Sequence, residues 1–158
     1  MADIHIEDFY HDVARILIHL YNRFPRKGAV FVEDIAGEDT PDEFGLHSTR
    51  HMACFGAMLW LCDEGLLRYE SVISQDAIDQ AVLTGIGFNR LSTMRTDLPV
   101  IPEPATSGIL AREPAIAINH IRRTMREGTS TELSETVHRL LLSALPAPET
   151  LLMRVLRH

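Results

Sequence analysis

A mainly helical fold carrying a small β-hairpin is what this sequence predicts, and three observations predict it. Apolar residues recur at steps of three and four over residues 9–24, 48–64 and 115–142, the spacing of one helix face. Short β-like runs stand at 29–32, 66–70 and 80–83. Glycine or proline closes most of these segments, where a chain needs either a positive φ or a residue without an amide proton.

The first helix is carried by Phe9, Val13, Ile16, Leu17, Leu20 and Phe24, with His11, Asp12, Arg15, Asn22 and Arg23 on the opposite face. Asp8 suits the positive end of its dipole, and Pro25 and Gly28 stop it. Ala29–Val32 reads as a strand and Glu33–Ala36 as a brief helix ended by Gly37. Residues 38–47 (EDTPDEFGLH) are turn-rich and acidic. Ser48 opens a helix that runs to about Glu64, with Gly65 as its stop and Met52, Phe55, Leu59 and Cys62 as its main apolar stripe, flanked by Cys54, Met58 and Leu61. Leu66–Glu70 is a strand, Ser71–Asp79 turns the chain, and Gln80–Leu83 returns as a second strand. Thr84 caps a helix through Leu91. Residues 92–108 hold three of the eight prolines and no clean period, so they read as a linker or extended arm. Two helices follow, Ala115–Glu127 and one capped by Ser130 or Thr131, with a last short helix over 149–157.

This order of elements resembles the winged helix-turn-helix family over about residues 7–92. The resemblance is carried by Asp63-Glu64-Gly65-Leu66-Leu67-Arg68 and by Ala81-Val82-Leu83-Thr84 followed by Gly87 and Leu91. It implies a winged-helix-like domain over 1–92, a Pro-containing linker over 93–108 and a helical extension over 109–158. The chain departs from the family between the second and third helices, where residues 37–47 replace a tight turn. If used as the family uses it, the helix from Ser48 would enter a DNA major groove, with Thr49 and Arg50 at base edges and Arg68 or Arg90 near phosphates.

Composition bounds the function. The chain has 158 residues, 46% hydrophobic and 23% charged, enough to build a core. No apolar run approaches the ~20 residues a membrane span needs. The start, MADIHIEDFYHDV, lacks the basic and apolar regions of a signal peptide, and two cysteines are too few for a disulfide framework. The expectation is a soluble, cytoplasmic protein with no membrane partner. The net charge of −7 sits wholly in residues 1–70, which hold six Lys and Arg against thirteen Asp and Glu. An acidic half is a poor match for a phosphate backbone. The stretch between the wing strands offers Ser71, Ser74, Gln75 and Asp76 and no cation.

Side-chain constellations add little chemistry. His47, His51 and Cys54 stand at i, i+4 and i+7 around a helix start, a spacing that suits metal ligation, with His5, His11 or Cys62 as a fourth ligand. There is no CxxC pair, and Cys54 and Cys62 also suit apolar packing, so no metal or other cofactor is expected. The sequence has no GxSxG, glycine-rich phosphate loop or HExxH, and no catalytic residue is assigned. Arg122, Arg123 and Arg126 form the one basic cluster, a candidate contact for an acidic partner, such as the acidic first half of the same chain or of a second copy. The apolar faces of the C-terminal helices must be covered either by folding back or in a homodimer. The expected function is a non-catalytic protein-interaction or adaptor module that self-associates; the alternative is a DNA-binding transcriptional regulator.

Overall fold

The computed structural model describes residues 3–95, 98 and 116–142. Most of the predicted linker over 93–108, the start of the extension and the short helix over 149–157 lie outside the described residues. The described chain is mainly helical, with a small antiparallel sheet and two C-terminal helices packed beside the first one. Nothing in it is long and apolar enough to cross a membrane as a helix.

Helix α1 spans Ile4–Arg23. It starts a turn before the apolar period does, because its first turn is solvent-facing: Ile4 and Ile6 are exposed. Its inner face buries Val13, Ala14, Ile16, Leu17 and Leu20. Asp12, expected on the polar face, is buried too, and its partner is described below. At the C-terminal end the Arg23 guanidinium donates to the carbonyls of Ala29 and Gly28, at 2.8 and 2.5 Å, and reaches the Ala81 carbonyl at 3.4 Å. One side chain therefore fastens α1 to two strands.

Strand β1 is Gly28–Phe31, and α2 follows at once as Val32–Ala36. Val32, expected as the last strand residue, opens the helix instead, with its N–H bonded to the Asp76 carbonyl at 2.8 Å. Arg15 of α1 caps the far end by donating to the Ile35 carbonyl at 2.8 Å.

Helix α3, Thr49–Asp63, is capped by Ser48, whose hydroxyl accepts the His51 N–H at 3.1 Å. Its C-terminus is a Schellman turn: Leu66 N–H reaches the Leu61 carbonyl at 3.0 Å, Gly65 N–H the Cys62 carbonyl at 2.9 Å, and Gly65 takes φ 78°. The buried face is Cys54, Phe55, Ala57, Met58 and Leu61, while Met52, Leu59 and Cys62 are only partly buried. The expected stripe is rotated because this helix is apolar on most sides, so its pattern alone does not select one face.

The sheet has the order β1–β4–β2, with β3 also paired to β4. β2 is Leu67–Arg68, β3 is Ser71–Ile73, and β4 is Ala77–Leu83. The hairpin is longer than the sequence predicts. Residues 71–73 and 77–79, read as turn, pair with each other, and the reversal is made by Ser74 at φ 47°. No glycine marks that tip, which is why sequence punctuation misses it. A bulge in β4, with Gln80 at φ 55°, shifts the register between Gly28↔Ala81 and Val30↔Ile78.

Helix α4, Gly85–Ser92, is capped by Thr84, whose hydroxyl donates to the Gly65 carbonyl at 2.6 Å and accepts from Gly87 N–H at 3.0 Å. A Cβ at Gly87 would lie 2.0 Å from the Leu66 carbonyl oxygen, so this helix seats on the α3–β2 turn only with glycine there. Helices α5, Ala117–Glu127, and α6, Ser130–Leu142, follow. The cap of α6 is Thr129 rather than Ser130 or Thr131. Its hydroxyl accepts the Glu132 N–H at 3.2 Å and the Glu132 carboxylate accepts the Thr129 N–H at 2.9 Å, a capping box. Ile118, Ile121, Leu133, Val137 and Leu140 are buried in the same core as the inner face of α1. Of the two ways to cover the C-terminal faces, the single chain folds them back.

Gly87→Ala should destabilise the protein by about 3 kcal/mol or more, through a backbone collision that cannot relax without moving α4. Gly65→Ala, with open space around it but a positive φ, should cost only about 1–2 kcal/mol. Urea unfolding of both variants checks the order.

Candidate functional site

The region that gathers polar side chains is the N-terminal end of α3. Two acids from elsewhere in the chain decide its character. The first is Asp12, which is 1% exposed and accepts two bonds from the Arg50 guanidinium, at 2.7 and 2.6 Å. Asp8 stands 3.7 Å from the same group. Hydrogen bonding to Asp12 raises the Arg50 pKa further, so this cation stays charged. The second acid is Asp39, from the loop between α2 and α3. Its Oδ2 accepts the Ser48 N–H at 3.0 Å, directly at the helix start. Hydrogen bonds from Ser48, side chain first and backbone second, pull its pKa down to about 2 against the cost of desolvation. The positive end of α3 favours the same ionised state.

Two histidines share Asp39. His47 precedes the cap and His51 lies three residues after it, so both rings fall on one side of the helix start. They stack at 3.7 Å between centroids and 7° between planes. His47 places Nδ1 3.0 Å from Asp39 Oδ2 and Nε2 2.9 Å from Asp76 Oδ1. His51 is 5% exposed, and its Nε2 bonds the Gln75 carbonyl at 2.8 Å. A carbonyl only accepts, so Nε2 carries the proton and Nδ1 of a neutral ring carries the lone pair. That Nδ1 lies 3.9 Å from Asp39 Oδ2 and has no hydrogen-bond partner. The wing thus contributes to the site: Gln75 and Asp76 sit in the β3–β4 turn. Phe31, Glu33, Asp39, Pro41, His47, His51 and Asp76 line an open cavity of about 270 Å³ in front of the rings.

The residues named from sequence are placed as follows. His47 and His51 come together, as their spacing suggests. Cys54 does not join them. Among the described residues the group able to hold a metal is Asp39, His47 and His51, with donor atoms within 4.8 Å of one another. Cys54 is fully buried, and burial, with the nearby Asp12 charge, pushes its thiol up to about 12. It packs as an apolar residue. Thr49 and Arg68 are exposed, on α3 and β2. Arg90 is half-buried and donates to the Leu141 carbonyl at 3.3 Å, and burial lowers its pKa. The three C-terminal arginines differ in their surroundings. Arg122 turns to α1, bonding Asn22 and lying 5.3 Å over the Tyr21 ring; Arg123 pairs with Glu127 at 3.3 Å; Arg126 is exposed.

Asp39 and Asp76 are the site residues that sequence reading did not single out. Asp39 lay in a run of acids with nothing to distinguish it. No local signal separates it from its neighbours, since the amide it takes, that of Ser48, is nine residues away. Comparisons with protein-family models, curated proteins and solved structures return no match for this chain.

Two outcomes follow. Asp39 has a folded pKa below its unfolded value, so its contribution to stability is complete above the ordinary carboxylate range and disappears as pH falls through about 4 toward about 2. The urea midpoints of wild type and Asp39→Asn should therefore differ at pH 6 and converge near pH 2. The Asp12–Arg50 pair should be asymmetric. Arg50→Ala leaves a buried carboxylate uncompensated and should cost about 3 kcal/mol or more. Asp12→Ala leaves a partly exposed cation beside Asp8 and should cost less, a difference that urea unfolding resolves.

Proposed function

We propose that this chain is a non-catalytic protein-interaction module on a winged-helix scaffold, and that its partner is a polypeptide carrying apolar and basic residues. The observation that carries the reading is the loop before α3. Asp42 folds it into a tight turn: one carboxylate oxygen accepts the N–H groups of Phe44 and Leu46, both at 2.9 Å, and the Asp42 N–H bonds the Leu46 carbonyl at 2.9 Å. The turn holds Phe44 and Leu46 out in solvent at 79% and 62% exposure. An apolar pair on a preorganised loop, with Glu38, Asp42 and Glu43 beside it, has the make-up of an interface anchor with an acidic rim. Preorganisation lowers the ordering cost of binding.

The strand order β1–β4–β2 and the helices before it support the winged-helix relationship. The DNA-reading use of that scaffold is less well supported. Arg50, the strongest base reader in the first turn of α3, is committed to Asp12. Asp39, Asp76 and Asp8 surround that end of the helix, and like charge there opposes phosphate. Self-association through the C-terminal helices loses its main argument, because α1 covers their apolar faces.

Selection from a phage-displayed peptide library against the full chain should enrich peptides that combine Lys or Arg with large apolar residues. Phe44→Ala should weaken the selected peptides at least tenfold while leaving the unfolding midpoint unchanged. Tight binding of duplex DNA with a steep salt dependence, reduced by Arg68→Ala and indifferent to Phe44→Ala, would replace this reading with the regulator.

A further inference from the structure

We infer that Asp39, His47 and His51 form a binding site for a transition-metal ion of the zinc class. Two independent observations lead there. The first is the orphaned atom. His51 is 5% exposed, its Nε2 proton is held by the Gln75 carbonyl at 2.8 Å, and its buried Nδ1 faces Asp39 without a hydrogen bond. A backbone carbonyl on one imidazole nitrogen is the arrangement that orients the other toward a metal. A buried nitrogen left unsatisfied is costly unless something takes its lone pair.

The second is a conflict of acceptors at His47. Its two nitrogens lie 3.0 Å from Asp39 Oδ2 and 2.9 Å from Asp76 Oδ1. A neutral imidazole has one N–H, so one of these short contacts would set a lone pair against a carboxylate. The cluster of two carboxylates and two imidazoles therefore calls for an added positive charge, either a second proton on His47 or a metal ion. A metal bound by Nδ1 of both rings and by Asp39 resolves both problems at once. His47 Nε2–H then donates to Asp76 and His51 Nε2–H to Gln75, which gives each ligand a fixed tautomer.

The donor set fits. Two imidazoles and one carboxylate are borderline donors that suit Zn²⁺ above Mg²⁺ or Ca²⁺. Ligand atoms around a tetrahedral Zn²⁺ stand about 3.3 Å apart, from bond lengths near 2.0–2.1 Å. The Nδ1 atoms of His47 and His51 lie 3.0 and 3.9 Å from Asp39 Oδ2, on either side of that value. An aspartate carboxylate is ionised at neutral pH and needs no proton removed to bind a metal. One adjustment is required: the in-plane lone pairs of two parallel rings do not meet at a point, so binding must open the stack. His47, at 17% side-chain exposure on the cavity rim, is the ring with room to turn, while Gln75 anchors His51. Three protein ligands leave a coordination position facing the cavity.

The test uses the full chain, stripped with chelator, at pH 7.5. Zn²⁺ added to it should bind one ion per chain by calorimetry and raise the unfolding midpoint. Co²⁺ should give the visible absorption of a tetrahedral or five-coordinate site. His47→Ala, His51→Ala and Asp39→Asn should each weaken Zn²⁺ at least tenfold, and Cys54→Ser should leave it unchanged. Because His51→Ala opens a hole beside the wing, the fold of each variant is checked by circular dichroism, and His47→Ala alone suffices if His51→Ala does not fold. Absence of Zn²⁺ and Co²⁺ binding at 100 µM would overturn the assignment. So would an NMR spectrum showing His47 doubly protonated and unaltered by Zn²⁺, which would give the required positive charge to a proton.

Discussion

A buried carboxylate sets the terms for this molecule. Asp12 sits inside α1, almost fully removed from water, and a charge placed there is tolerable only with a counter-charge held in good geometry. The first turn of α3 supplies it through the two-pronged contact of Arg50. The bond fixes how α1 and α3 meet at one end, while Phe9 and Trp60 meet edge to face farther along the same interface, at 5.2 Å between ring centroids. It also commits to Asp12 the side chain that a groove-reading helix would need free. One electrostatic necessity thus serves packing and changes what the exposed end of α3 presents.

What that end presents is assembled from three separate parts of the chain. The loop before α3 brings Asp39, the cap region brings His47 and His51, and the β3–β4 turn brings Gln75 and Asp76. The wing is short of cations, as its sequence foretold, but it is not idle: its turn holds one histidine by a backbone carbonyl and the other by a carboxylate. The same loop that contributes Asp39 displays Phe44 and Leu46 a few residues later. The polar cluster and the apolar pair therefore both draw on one hydrogen-bonded loop, held by Asp42 and by the bond from the Ser48 amide to Asp39.

Much of the architecture was legible in the order of residues. The periodic helices, the glycine stop at Gly65 and the Ser48 and Thr84 caps are local signals, and local physics answers them. Elements failed to be legible where the local code was weak or silent. The β3–β4 reversal turns on a serine in a positive-φ conformation. Helix α3 is apolar around most of its circumference, so its inner face is chosen by its neighbours. Asp12 has the polarity of a surface residue and the position of a core one. The histidine pair was visible as a spacing, but its third member was not, because Asp39 is eight residues upstream of His47 and one of many acids.

The chain alone determined which of the described segments are helical, where most of them begin and end, that the first half carries the whole net charge, and that residues 37–47 form a long acidic connection. These follow from side-chain periodicity, capping chemistry and counting, none of which needs a second segment of chain. Only the tertiary structure decided that Arg50 is spent on Asp12, that Cys54 is buried away from the two histidines, that Asp39 and Asp76 flank them, and that α5 and α6 fold onto α1. Each of those outcomes depends on a distance between residues far apart in sequence. Such distances are set by how the apolar faces share one core, a collective choice that no single segment encodes.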